Sequence, residues 1–286
     1  QPRIGTGSHC MDPYPCPFFE YCRSAEPAAP KYPVEDLRTS ALVETLRSAG
    51  YSDLRKVPGK LLESRKHKRI AAAARSTSAI TSDEFDTVLE AIAYPRHYLD
   101  FETIAFVVPR WLGTRPYQQI PFQFSCHIEK ANGALEHREY LDLSGNSPVA
   151  SFADALLEAV GGEGPIIVWN QGFEAGRVRE LANMLPKRAK ALLALIDRMV
   201  DLLPIYREHY CHRDMHGSWS IKAVLPTIAP ELSYSNLDVG DGSAAQDAYL
   251  EAIDDGTSTK RRNELRKNLL AYCERDTLAM VRLARR

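Results

Sequence analysis

No run of the roughly 18 apolar residues needed to cross a bilayer occurs in the 286-residue chain, and no charged-then-apolar leader opens it. These absences lead to the expectation of a soluble, cytoplasmic protein with no membrane partner. There is no internal repeat, which sets aside solenoids and propellers. Compositional bias is missing as well: 44% hydrophobic and 26% charged residues exclude collagen-like, coiled-coil and wholly disordered chains. Net charge is nearly absent, −1 from 36 basic and 37 acidic residues, so the chain as a whole does not advertise a polyanionic partner. The first residue is Gln1 and not Met, which reads as a processed chain or a piece of a longer one. At about 150 residues per domain, the length suggests two domains, or one large domain with an appendage.

What is present is unevenly placed. Between Arg55 and Arg75 lie eight basic residues and one acid, Glu63, and from Lys260 to the end nine basic residues meet three acids. Solvated helix faces account for such runs. Three of the six cysteines, Cys10, Cys16 and Cys22, crowd the beginning, with five residues between each and the next. With no secretory leader, a thiol cluster points to a metal or an iron–sulfur centre before a disulfide framework. Cys126, Cys211 and Cys273 read as buried free thiols.

Residues 1–33 form an irregular, Pro- and Cys-rich segment; 34–93 read as a helical linker, with a helix–turn–helix pattern over Leu42 to Arg75 and a short helix over Asp83 to Ala93. Strand-like runs follow at His97 to Thr103, Gln119 to Glu129 and Leu135 to Leu143. Then come a helix at Val149 to Val160, a buried strand at Pro165 to Trp169 and a helix at Gly172 to Leu185. Further helices are expected over Arg188 to His209, Ser220 to Ile228, Ala244 to Ile253 and Lys260 to Arg285. The fold class is therefore α/β: a mixed sheet of three antiparallel strands, then α-β-α, flanked by helices, with a small helical and Cys-rich N-terminal appendage.

Three places carry chemistry. Asp100 and Glu102 stand two apart in a strand, so period two puts both on one face, where divalent metal would neutralise them. Glu174 lies in the first turn of a helix fed by a buried strand, in Trp169-Asn170-Gln171-Gly172-Phe173-Glu174; a glutamate there also answers a helix dipole. Tyr272 and Asp276, four apart, share a face of the last helix. Asp201 reads as a brace of the fold; Lys222, in a loop leading into a helix, could reach a substrate phosphate, with a solvated side chain the preferred reading. The loop of His209, Cys211, His212 and His216 has no standard zinc spacing.

Together, in this order and on these elements, the motifs resemble those of the DnaQ-like, or DEDD, 3′-to-5′ exonucleases of the ribonuclease H-like superfamily. The resemblance covers about 94–286 and implies a tyrosine-type (DEDDy) exonuclease domain. Asp100 and Glu102 match the first motif, Asn170, Phe173 and Glu174 the second, and Tyr272 with Asp276 the third. Glu174 departs from the Asp usual in the family, and Ala271 stands where the histidine subtype needs His. The resemblance implies that Asp100, Glu102, Glu174 and Asp276 hold two Mg²⁺ or Mn²⁺, that Tyr272 orients the attacking water, and that Phe101, Thr103, Asn170 and Phe173 contact the terminal nucleotide. The substrate it implies is the 3′ end of single-stranded DNA or RNA, released as nucleoside monophosphates. A module of another class remains open at this stage, an RNase H-like domain with a weak metal site that binds nucleic-acid ends or scaffolds a partner nuclease.

His9-Cys10, Cys16-Pro17-Phe18 and Cys22 resemble the C-terminal cysteine cluster of RecB-like iron–sulfur nucleases. That resemblance implies a [4Fe-4S] cluster in a longer protein, with its fourth cysteine in an upstream nuclease domain missing here; zinc held with His9 is the other outcome. Along its whole length the chain resembles a bacterial fusion of the two nuclease types.

Overall fold

The structure, a computed structural model, describes residues 5–10, 14–232, 234 and 237–286. Contacts divide the chain into two units, Gln1–Ile80 with Cys211–Ser218, and Thr81–Tyr210 with Trp219–Arg286. This differs from the expected boundaries at 33 and 93. The stretch 34–80 is not a linker, because Val34, Leu37, Leu46, Leu54, Val57, Leu62 and Ile70 are buried and give the first unit its own core. The helix Phe85–Glu90 belongs instead to the second unit, where Phe85 meets Tyr206 edge-on at 5.1 Å.

In the first unit, helix α1 (Ser40–Ser48) and helix α2 (Arg65–Arg75) are joined through two 3₁₀ turns, Leu54–Lys56 and Gly59–Leu61. Ser64 starts α2, its hydroxyl accepting from the His67 amide at 3.1 Å. Part of the basic run serves this unit internally. Arg75 donates to the carbonyls of Arg55, Leu54 and Val57, and Arg55 pairs with Asp53 at 2.6 Å.

The second unit is built on β1 (Arg96–Ala105), β2 (Gln119–Glu129) and β3 (Leu135–Leu141), followed by α3 (Val149–Val160), β4 (Ile166–Val168), α4 (Gln171–Met184), α5 (Ala189–Ile196), β5 (Met199–Asp201), α6 (Leu202–His209), α7 (Gly242–Ala252) and α8 (Thr259–Ala284). Sheet order is β3-β2-β1-β4-β5. The first three strands are antiparallel neighbours, while β4 runs parallel to β1 and β5 parallel to β4. An α/β unit with a mixed five-stranded sheet flanked by helices is thus as expected. The helix expected over Arg188 to His209 is two helices with a strand between them: β5 interrupts it and becomes the sheet edge.

The two faces of the sheet differ in chemistry. On one, Phe152 of α3 packs edge-on against Phe101 at 5.3 Å and Phe124 at 5.5 Å. On the other, β2 presents Gln123, Ser125 and His127, all buried. Polar side chains out of water need partners, and α8 supplies them: Gln123 Nε2 donates to Leu269 O at 2.7 Å and Ser125 Oγ meets Thr277 Oγ1 at 2.7 Å. Pro121 sits within β2, where it cannot donate to the ladder. It is tolerated beside a bulge, the pairing slipping between Glu102 and Thr103, so that Glu102 pairs with Gln123 and Thr103 with Pro121.

The turn before β4 approaches β1 closely. Gly164 has φ +74°, and a Cβ there would stand 2.1 Å from Pro95 O. Gly164→Ala should lower the unfolding free energy by about 2–4 kcal/mol, while Gly162→Ala, with nothing within 4 Å, should stay within about 0.5 kcal/mol. Urea unfolding of both variants reads the difference, and equal stabilities would contradict this account of the turn.

Candidate active site

Asp100 and Glu102 extend from β1 toward α8, and Asp276 faces them from the helix. The three offer carboxylate oxygens within 4.8 Å of one another. Glu102 is 8% exposed and Asp276 7%. Period two on the strand and the four-residue spacing of Tyr272 and Asp276 on the helix bring this about. Glu174, in the first turn of α4 and 2% exposed, lies outside the 4.8 Å group, yet its charge is felt at Asp100.

Electrostatics mark the group. Burial, reinforced by Asp276, Glu102 and Glu174, raises the Asp100 carboxyl well above the usual range. Burial and then Asp276 push Glu102 up to about 8. Burial pushes Glu174 up to about 8, Asp201 adding to it, and burial lifts Asp276 to about 6. Opposing these shifts is Lys222, whose charge favours the ionised forms of Asp100, Glu102 and Asp276.

Lys222 is therefore a site residue and not the solvated side chain expected from sequence. Its Nζ donates to Tyr272 Oη at 3.0 Å and to Gly240 O at 2.8 Å, over the rings of Tyr272 and Tyr234. Tyr234 was missed. Its hydroxyl donates to Asp276 Oδ1 at 2.5 Å. No local sequence signal marks Tyr234, which arrives through tertiary packing, whereas Lys222 is placed by its loop as a candidate phosphate contact. The Cys273 thiol lies 3.9 Å from Asp100 Oδ2, and Cys126 and Cys211 are buried free thiols as expected.

Asp201 braces the fold, as its sequence context suggests. Oδ1 accepts the amides of Asn170 and Leu203, and Oδ2 that of Gln171, each at 2.9 Å. Asn170 itself takes a left-handed conformation, φ +80°, where β4 turns into α4. Of the expected nucleotide contacts, Asn170 is exposed, and Phe173 is half-buried with the Arg177 guanidinium 5.4 Å from its ring centre. The Phe101 ring points into the core against Phe152, on the strand face opposite Asp100, and Thr103 is buried.

Among the described residues, two groups of three metal-ligating side chains lie together, and neither contains a residue of the N-terminal cysteine set. Cys10 and Cys16 are half-buried and Cys22 is exposed, all as free thiols. The His loop is not gathered either: His209 meets Ser82, His212 caps a turn and His216 pairs with Asp36.

The acidic group can hold a cation. Its donors are all hard oxygens, which suit Mg²⁺ or Mn²⁺, and Glu174 Oε2 is buried without a hydrogen-bond partner, a costly state that a cation would relieve.

Fold and site together define an α/β protein with a buried carboxylate centre. A family model described as a domain of unknown function, DUF2779, matches residues 97–220. That span holds Asp100, Glu102 and Glu174 and stops before Tyr272 and Asp276. The chain is 26% identical over 220 residues to "Uncharacterized protein MG366" of Mycoplasma genitalium, covering 70% of this chain and 33% of that protein. It is 25% identical over 222 residues to the Mycoplasma pneumoniae homolog of MG366, with the same coverage, and 24% identical over 207 residues to "Uncharacterized protein UU173" of Ureaplasma parvum, covering 64% and 30%. The chain spans about a third of the length of these relatives. No solved structure gives a significant match.

Carboxyls raised in the folded state hold protons that the unfolded chain releases, so stability falls as pH rises from the ordinary carboxyl range up to the raised values. The metal-free protein should lose stability as pH rises from about 4.5, where these carboxyls titrate in the unfolded chain, to about 8, where Glu102 and Glu174 titrate in the folded one, and should level off above that. Thermal melts in EDTA read this; a melting temperature that stays level or climbs across the window contradicts it. Mg²⁺ added at the upper end should restore the loss.

Proposed function

We propose that the second unit is a metal-dependent 3′-to-5′ exonuclease of the DEDDy type with a ribonuclease H-like fold, hydrolysing the terminal phosphodiester of single-stranded DNA or RNA to release nucleoside monophosphates. The observation that carries this reading is the convergence of Asp100 and Glu102 from β1 with Asp276 from α8, beside Tyr272. The strand order, three antiparallel strands followed by α-β-α, supports it.

Asp100, Glu102, Glu174 and Asp276 would hold the two cations, which when bound supply an activated water and neutralise charge on the leaving oxygen. Tyr272 acts through its proton. Lys222 donates to the phenol oxygen, which leaves the phenolic hydrogen free to point at water or phosphate. Burial raises the Tyr272 phenol above its ordinary range, so it orients the nucleophile and does not serve as a base. Lys222, beside it, also offers positive charge to a substrate phosphate. For the N-terminal segment we extend the proposal to a RecB-like remnant, whose [4Fe-4S] cluster would need a ligand from outside this chain.

The test is degradation of 5′-labelled single-stranded DNA and RNA with Mg²⁺, Mn²⁺ or EDTA. A metal-dependent ladder shortening from the 3′ end is expected, with Asp100→Ala and Asp276→Ala each losing at least about a thousandfold, ~4 kcal/mol of transition-state stabilisation. Metal-independent binding without cleavage would replace the enzyme by an end-binding module, and cleavage surviving both substitutions would refute the site. Tyr272→Phe should slow cleavage about 10- to 100-fold while leaving DNA binding near the native level, and Lys222→Met should slow cleavage by a similar factor and weaken binding as well; native rates in both would remove them from the reaction.

A further inference from the structure

We propose that His127, His137 and Glu274 form a second metal site, for a transition ion of the Zn²⁺ class, separate from the carboxylate group and independent of the exonuclease reading. Their ligand atoms lie within 4.8 Å of one another. His127 and His137 are paired residues on β2 and β3, with rings 4.4 Å apart, and Glu274 comes from α8, its Oε1 3.9 Å from His137 Nδ1.

Proton accounting around the pair favours a ligand. Thr277 donates its single hydroxyl proton to Glu274 O at 3.0 Å, so toward its other neighbours it accepts. One of these is His127 Nδ1 at 2.8 Å, which must carry hydrogen. The other is Ser125 Oγ at 2.7 Å, which spends its one proton there. Ser125 must then accept from His137 Nε2 at 2.9 Å. Both tautomers are thereby fixed, leaving His127 Nε2 and His137 Nδ1 with open lone pairs. Imidazoles that ligate metals are held in this way, one ring nitrogen donating to the protein and the other turned to the ion.

Burial pushes His127 down to about 4, so its ring is neutral at physiological pH. Two imidazoles and a carboxylate suit a borderline ion, whereas Mg²⁺ prefers oxygen alone. His137 is 24% exposed and Glu274 47%, which gives an ion access and leaves coordination positions for water. An ion there would tie α8 to β2 and β3 two residues before Asp276.

The full-length chain, stripped of metal, is equilibrated with Zn²⁺ in excess Mg²⁺, and the zinc retained per chain is counted for the native protein, His137→Ala, Glu274→Gln and Asp100→Asn. The difference between native and variant removes any zinc held by the N-terminal thiols. We expect one zinc fewer per chain in His137→Ala and Glu274→Gln, and no loss in Asp100→Asn. Melting temperatures establish that the variants fold; if His137→Ala does not, Glu274→Gln decides, since its side chain is exposed and keeps its shape. Unchanged zinc in the folded His137 and Glu274 variants, or zinc lost in Asp100→Asn, would overturn the proposal. Co²⁺ in place of Zn²⁺ should give a visible spectrum that His137→Ala abolishes, and a spectrum that survives would count against it equally.

Discussion

Three carboxylates within 4.8 Å of one another, two of them buried and Asp100 half-buried, set the terms for everything around them. Each ionised pair at that separation repels by on the order of 3 kcal/mol at an effective dielectric of about 20, and desolvation adds to the strain. The chain answers in two ways of its own. Protons stay on the acids far above their ordinary range, and Lys222 and Tyr234 bring one cation and one hydroxyl donor. Neither removes the repulsion. A divalent cation would, which is why such a cluster fits a metal centre better than a stabilising element of the fold.

Holding the acids together requires that α8 not slide along the sheet. A shift of one residue would turn Asp276 by about 100° away from β1. The register is set by polar side chains of β2 that cannot be left unpaired: Gln123 on Leu269 O, and Ser125 and His127 on the Thr277 hydroxyl. An apolar face would bury α8 as well, but would permit several registers of similar energy. The hydrogen bonds are directional, so they select one. The bulge at Pro121 acts at the same place, adjusting the strand next to Glu102.

Much of this was legible in the sequence, and the failures have local causes. β2 and α3 were bounded correctly because alternation in 119–129 and helical spacing in 149–160 run uninterrupted to a turn. β5 was not, since Leu192, Leu195, Met199, Leu202 and Leu203 keep helix-like spacing through a three-residue strand, and no Gly or Pro stands between α5 and β5. The stretch 34–80 reads as a helical linker because its buried residues are spread over short helices, 3₁₀ turns and the residues between them, with no one element long enough to show a continuous period. The acids were found because each belongs to a motif on one element. Tyr234 and the His127–His137 pair were not, since what makes them notable is a neighbour from another element.

Glu174 shows how the structure bears on two readings of one residue, as an acid that answers a helix dipole and as a ligand. A glutamate in a first helical turn can serve the helix by answering its exposed amides. Here another residue takes two of those amides. Asp201, from the end of β5, takes the amides of Asn170 and Gln171 at the start of α4 while also capping α6 with the amide of Leu203. The cap of α4 is thus supplied from outside it, and Glu174 keeps an oxygen that is buried and has no partner. A surface carboxylate would turn to water; this one is 2% exposed and cannot. An acid deprived of solvent, with one carboxylate oxygen unpartnered and close enough to raise Asp100, suits the ligand role proposed for it, and the longer reach of Glu over Asp fits that role.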